Sequence, residues 1–390
     1  MSAPRAVPRP EDFSSRLRSP AVAARVGLWL GIAFGTCFLT GLFSHWSQTP
    51  SPWLPVPTSP SWGYRLTQGL HVTSGCAAVP LLLVKLWAVY PELFERVDLR
   101  PARRLVGDVL ERGSIAVLVA ASVFQLAIGL ANSAQWYPWT SFSFRTTHYA
   151  LAWVAIGALL LHIAVKLPVI RTALGSHVDH PGLDRSPVEG SGVLSRRTLL
   201  RSTWVATGLA VLATAGGTVP WLRRVSVFAV RTGEGPGGVP INKSAAAAKV
   251  LDIATADDWA LEVVVDGDVR SRLTLADLRA MPQHTVDLPI ACVEGWSARG
   301  QWSGVRVADV LTASGAAAGR YVTVSSLQPS GPYRVTVLPH AFADDARTLL
   351  ALDLAGEPLS LDHGYPCRVI APNRPGVLQT KWVASLEVSA

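Results

Sequence analysis

Apolar positions in this chain follow two regimes, and the change comes near residue 225. Before it, hydrophobic residues form long unbroken runs. Four of these, Val26–Trp46, Leu66–Tyr90, Gly113–Ala131 and Thr147–Val165, reach the roughly 20 residues a helix needs to cross ~30 Å of hydrocarbon. A fifth run, Ser202–Leu222, has the length but is diluted by Ala, Gly and Thr. After it the runs shrink to strand length: Leu261–Val265, Thr285–Ile290, Tyr321–Ser325, Tyr333–Leu338 and Arg368–Ala371. Helical patterns begin at Thr274 and Arg306. The pattern predicts a multi-pass α-helical membrane domain with five spans, followed by a mixed, strand-rich α+β domain. The expected boundaries are a cytoplasmic tail 1–25, a four-helix domain 26–170, a cytoplasmic loop 171–201, a fifth span 202–222, a Gly-rich linker 223–250 and an outer domain 251–390.

Charge turns the spans into a topology. Residues 1–244 hold 23 Lys/Arg against 11 Asp/Glu, whereas residues 245–390 hold 12 against 16. The basic excess of the whole chain, +8, therefore belongs to the membrane half. Without a basic stripe interleaved with aromatics, it gives no reason to expect nucleic acid as a partner. Five Arg precede the first run, six Lys/Arg fall in Lys85–Arg112 and six more in Lys166–Arg201, while the intervening loops carry only Arg65 and Arg145. The positive-inside rule then places the N-terminus in the cytoplasm and the C-terminal domain outside, in a plasma-membrane protein. Trp46, Trp53, Trp62, Trp136, Tyr137 and Trp139 fall on the outer side, as an interfacial belt would. Arg223 and Arg224 follow the fifth span on the side that the rule disfavours, which a large translocated domain tolerates.

Ser195-Arg196-Arg197-Thr198-Leu199-Leu200 stands directly before the weak fifth run. The segment resembles a twin-arginine export signal placed internally. That resemblance implies the export machinery for folded proteins as a partner, which suits a domain loaded with its cofactor before export. The alternative is a charge pair that anchors a helix end.

Ionisable residues inside a bilayer are costly and mark function. His71 lies near the outer end of the second run, His148 and His162 lie in the fourth, and His45 ends the first. Runs two and four point the same way, so His71 and His148 fall at the same outer level, suited to gripping one haem iron. His148 and His162 are 14 residues apart, about 21 Å along one helix face, with Ala152 and Ala155 between them and Gly75 one turn below His71. This spacing resembles the di-haem helices of cytochrome b-type membrane subunits. The residue 14 after His71 is Lys85, not His, so the pattern supports one haem b and leaves His162 without a histidine at its own depth. Hydrogen bonding between helices is the competing role for each of these histidines.

The four cysteines include no CxxC or Cys/His zinc spacing. Cys292 closes an apolar strand in Leu288-Pro-Ile-Ala-Cys292-Val-Glu-Gly-Trp296-Ser297, with Gln301-Trp302-Ser-Gly-Val305 close behind. A thiolate at such a turn suits a soft metal; a packed thiol or a disulfide to Cys367 are the alternatives. Two later segments are Leu361-Asp-His363-Gly-Tyr-Pro-Cys-Arg-Val-Ile-Ala-Pro372 and Asn373-Arg-Pro-Gly-Val-Leu-Gln-Thr-Lys381-Trp382. In this order the three segments, spread from about Ala260 to the end, resemble the sulfite-oxidase and methionine-sulfoxide-reductase superfamily of molybdopterin enzymes. The resemblance implies a sulfite-oxidase-like molybdopterin domain with Cys292 as catalytic residue and molybdenum ligand. It further implies His363, Arg374 and Lys381 as holders of the pterin and its phosphate. Glu294, Trp296 and Trp302 are candidates for a substrate pocket by proximity. The chain departs from the family in lacking its C-terminal dimerisation domain and the Arg cluster that grips sulfite.

The expected function is a membrane-bound, molybdopterin-dependent oxidoreductase of two-electron, oxo-transfer type. It would act outside the membrane on a small or protein-bound oxidised substrate such as a sulfoxide, with haem b connecting it to membrane quinone. One alternative reverses the electron flow in a sulfite-type oxidase. Another is a cofactor-free binding or sensory domain on a membrane anchor.

Overall fold

The computed structural model describes residues 13, 15–51, 53–94, 102–138, 141–183, 194–229 and 235–389. Trp139, expected in the aromatic belt, lies outside these residues. The chain divides into two compact units: Met1–Gly41 with Leu70–Ala215 and Arg224–Ala229, and Leu42–Gly69 with Gly216–Arg223 and Val230–Ala390.

Five long helices account for the apolar runs: α1 Pro20–Gln48, α2 Gly63–Val89, α3 Ala102–Ser133, α4 Phe144–Gly175 and α5 Arg196–Thr214. All five are long and apolar enough to cross a membrane. In the first unit Val22, Val26 and Ala33 of α1 pack with Ala78 and Leu81 of α2, small residues that allow close approach. Leu39, Leu83, Leu160, Val205 and Leu209 face outward.

Basic residues hold the helix ends together. Arg25 donates to Ala173 O (3.0 Å) and Ser176 O (2.7 Å), two of the carbonyls that the end of α4 leaves without intrahelical partners. Lys85 donates to Ala23 O (3.0 Å). Arg196 is buried, donating to Arg16 O (2.6 Å) and Val178 O (3.0 Å), while Arg197 pairs with Asp179 (3.3 Å). Ser195 caps α5 by accepting from Thr198 N. The paired arginines therefore do anchor a helix start, the simpler of the two readings.

The second unit carries two five-stranded sheets. The strands are β1 Ala260–Val265, β2 Asp268–Thr274, β3 His284–Ala291, β4 Ser297–Arg306, β5 Tyr321–Ser326, β6 Val335–Leu338, β7 Leu349–Leu354, β8 Glu357–Pro358, β9 Arg368–Ile370 and β10 Val383–Ser389. One sheet runs β2-β1-β10-β5-β6; the other runs β3-β4-β7-β8, with β9 also on β7. The β1–β10 pair is parallel (Glu262 opposite Ser385) and joins the two ends of this domain; all other pairs are antiparallel. Alternate residues of β1, Leu261, Val263 and Val265, are buried, the period expected of a sheet with one covered face. They join Val307, Val310, Val324, Val369 and Leu386 in the main core. Both helical patterns are present: Leu275–Ala280, opened by a Thr274–Asp277 capping box, and Val307–Ala313. A second core, on the β3-β4-β7 sheet, gathers Cys292, Trp296, Trp302, Leu354 and Ile370.

Candidate functional site

Strands β3 and β4 form a hairpin, paired to the end at Ala291 and Ser297, and the loop between them is Cys292–Trp296. Cys292 N donates to Trp296 O (2.9 Å) and Gly295 N donates to Cys292 O (3.1 Å). The loop closes because Gly295 takes φ 87°, which a residue with a Cβ rarely adopts. Cys292 is fully buried, with Sγ 3.6 Å from Glu294 Oε2, and that same oxygen accepts from Trp296 Nε1 (3.1 Å). Burial first, then the Glu294 charge, push the Cys292 thiol well above its ordinary value. In this state the group is a neutral thiol, and a bound cation would have to displace its proton. Cys292 and Cys367 are both free thiols, in different cores. Trp296 is buried and Trp302 wholly so, as wall rather than open lining; Glu294 is half-buried.

The expected pterin holders are all buried in the segments that follow. His363 is buried: Nε2 donates to Val239 O (2.9 Å) and Nδ1 accepts from Ser360 Oγ (2.9 Å), a neutral tautomer. Burial, helped by Arg368 and Lys381, outweighs the Val239 carbonyl and lowers its pKa. Arg374 donates to Leu378 O (3.1 Å) and Val337 O (2.9 Å). Lys381 donates to Asp362 O (2.9 Å) and Lys243 O. Arg368, which sequence reasoning passed over, is the fourth member. It donates to His363 O and Gln379 O and lies 5.0 Å from the Trp302 ring, while its Nε and the Trp302 Nε1 are buried without a partner. A signal was available, since Arg368 interrupts the apolar strand Cys367-Arg-Val-Ile-Ala371.

Arg368, Arg374 and Lys381 are all at least nine-tenths buried, and among the described residues none forms an ion pair. Buried cations ordinarily have anionic partners. Burial lowers both arginines to about 9, still charged at neutral pH, and brings Lys381 down to about 7 from 10.5. A soft sulfur, three unpaired cations and two orphaned N–H groups fit a metal joined to an anionic, hydrogen-bonding cofactor. The Lys381 shift has a measurable sign. Between pH 10.5 and about 7 the unfolded chain holds a proton that the folded site rejects, so stability rises with pH across that window and is flat below it. In cofactor-free protein the denaturation midpoint should rise from pH 7 to pH 9, and Lys381→Met should remove most of that rise.

In the first unit, the His71 and His148 ring centroids lie 6.1 Å apart. One metal between two imidazole nitrogens, each about 2 Å away, sets a separation of that size. His71 Nδ1 is engaged by Cys37 O (2.9 Å), the arrangement that leaves Nε2 for a metal. His148 Nδ1 is buried without a partner. The glycines that face these rings are Gly41 and Gly129, where an added Cβ would stand 3.2 Å and 3.6 Å from the His71 and His148 Cε1 atoms. Gly75, expected to make this room, faces Cys37 instead. His162 sits lower on α4, near Lys85 and Lys166.

The buried sulfur and the buried cations all lie in the strand-rich C-terminal part of the chain, and that part is similar to a known family. Residues 247–390 match the oxidoreductase molybdopterin binding domain family. Mitochondrial sulfite oxidase of Drosophila melanogaster is 32% identical over 166 residues, covering 36% of this chain and 28% of its own length. Sulfite oxidase of Arabidopsis thaliana is 32% identical over 152 residues, 30% of this chain and 39% of the relative. A putative protein-methionine-sulfoxide reductase subunit of Azospira oryzae, YedZ1, is 33% identical over 117 residues, 30% of this chain and 43% of the relative. The chain thus spans less than half the length of each of these three curated relatives. The match sets aside the reading of a cofactor-free binding domain.

Proposed function

We propose that this chain is a membrane-anchored molybdenum-pterin oxidoreductase acting outside the cytoplasm, with haem b in its helical half exchanging electrons with membrane quinone. The observation that carries the reading is buried Cys292 in the matched domain, with buried Arg368 against Trp302 of the same core and buried Lys381 within range of the Cys292 charge. Cys292 supplies the one protein sulfur to molybdenum, while Arg374 and Lys381, with Arg368, hold the pterin and its phosphate, and His363 backs the site by fixing Arg368 through its carbonyl. When bound, the cofactor supplies two-electron, oxo-transfer chemistry; the protein orients it and excludes water. Glu294, 3.6 Å from the sulfur, holds the loop by accepting from Trp296 Nε1. Reduction of an oxidised substrate such as a sulfoxide is the favoured direction, supported by the methionine-sulfoxide reductase relative. The sulfite oxidases among the relatives keep the opposite direction in view. Turnover with sulfoxides and a quinol, against sulfite and a quinone, separates the two.

The haem reading rests on His71 and His148. The purified full chain should contain one molybdenum and one haem b; molybdenum absent from protein made in a host that assembles the pterin would overturn the proposal. The N-terminus is cytoplasmic and the catalytic domain outside. The twin arginine serves export as well as anchoring, so changing Arg196 and Arg197 to Lys should leave the first four spans inserted and the domain inside. Export at the wild-type level would refute that part.

A further inference from the structure

Resting on the molybdenum-pterin reading, we infer that Asn373 and Thr218, with the segment Pro57–Gln68, are positioning residues that clamp the two loops of the cofactor site. All of them belong to the second unit. The two loops are Cys292–Trp296, which carries the sulfur, and Asn373–Leu378, which carries Arg374. At Gly376 the second loop packs against the end of the strand that leads into the first, where an added Cβ would stand 3.0 Å from Ala291 O.

Asn373 is buried and takes φ 52°, a conformation that Asn tolerates better than most residues. Its side chain works in both directions across more than 300 residues of sequence. Oδ1 accepts from Tyr64 N (2.5 Å) and Nδ2 donates to Pro57 O (2.7 Å), while its own N donates to Ser61 O (3.2 Å). The approach depends on Gly63, whose Cβ would fall 2.9 Å from Asn373 Oδ1. From the other side Arg347, paired with Asp345, donates to Ser59 Oγ (2.9 Å) and fixes the same segment.

The sulfur loop is held in the same manner. Thr218 is buried and its hydroxyl donates to Gly295 O. Gln68 Nε2 reaches Val293 O at 3.5 Å, the longest contact of the set, and Gln68 is itself fixed by Ser44, which also meets the Tyr64 hydroxyl (3.2 Å each). Loop carbonyls beyond the end of a strand ladder have no ladder partner, and a buried carbonyl left without a donor is costly. Here the donors come from sequence far outside the matched residues 247–390. They fix the residues on either side of Glu294 and the residue before Arg374. The position of the sulfur and of one pterin donor is thereby set before any cofactor arrives.

The test uses the full chain with three substitutions. Asn373→Gly keeps the left-handed backbone and removes both side-chain bonds. Thr218→Val keeps shape and removes the hydroxyl, and Thr218→Ser keeps the hydroxyl. In cofactor-free protein, amide exchange across Val293–Trp296 should accelerate roughly five- to tenfold in Asn373→Gly and Thr218→Val. It should stay at the wild-type rate in Thr218→Ser, and exchange in β1 should not change in any variant. In loaded protein the first two variants should keep molybdenum but shift its electron paramagnetic resonance signature, with Thr218→Ser restoring it. Unchanged loop exchange, or equal acceleration in β1, would overturn the inference. Wild-type protein that takes up no molybdenum would defeat the functional reading, while the exchange rates would still decide this one.

Discussion

Replacing Cys292 with Ser is expected to leave the fold intact and to lower turnover by more than about 100-fold, beyond the cost of losing a partner one shell away from a metal. Serine matches cysteine closely in shape, and its hydroxyl can donate to Glu294 as the thiol does at 3.6 Å, so the hairpin loop keeps its internal bonds. What changes is the ligand: a hard alkoxide or alcohol oxygen replaces a soft, polarisable thiolate on a metal that prefers sulfur. Molybdenum analysis with steady-state turnover checks this. The pterin donors are separate side chains, so the cofactor should remain bound in substantial amount while turnover collapses. Wild-type turnover in the Ser variant would remove Cys292 from the metal.

His71→Ala and His148→Ala are each expected to abolish the absorbance of a haem held by two histidines. They should also reduce quinol-driven turnover to background. The two rings stand 6.1 Å apart, so in the proposed haem site losing either would leave the iron without one axial ligand. Turnover with an artificial dye that delivers electrons directly to the molybdenum domain should survive both changes. His162→Ala should leave the spectrum as in wild type, because the position 14 residues beyond His71 is a lysine. A spectrum that survives His148→Ala, or vanishes with His162→Ala, would reassign the iron ligands.

Much of the strand-rich domain was legible as pattern. Thr274 and Arg306 stand at helix starts, and the runs at Leu261, Thr285, Tyr321, Tyr333 and Arg368 all contain strands. Strands β2, β4, β7, β8 and β10 fall outside those runs, and three of them show different reasons. Asp268–Thr274 is polar and largely exposed, so it lacks alternation. Leu349–Leu354 is buried on nearly every residue, a run whose period cannot separate strand from helix. Val383–Ser389 takes its place from parallel pairing with β1, a contact across some 120 residues.

The site divides in the same way. Cys292, Arg374 and Lys381 could be named from motifs, because each sits in a short segment whose local order is distinctive. Asn373 and Thr218 could not, since their roles consist of bonds to residues 309 and 77 positions away. Local spacing could not find Gly41, which lies on α1 and where an added Cβ would stand 3.2 Å from the His71 ring, whereas Gly75, one turn away on its own helix, faces Cys37.

By itself, then, the sequence determined the five apolar helices, the strand-rich C-terminal domain, the sulfur at the hairpin and the histidine pair at one level. These follow from hydrophobic period, turn chemistry and spacing within single elements. Only the tertiary structure decided that residues 42–69 and 216–223 belong with the strand-rich unit and that Arg368 joins its buried cations. Those outcomes depend on which distant donor meets a buried carbonyl, and on which charges burial leaves unpaired. Neither is a property of any one segment.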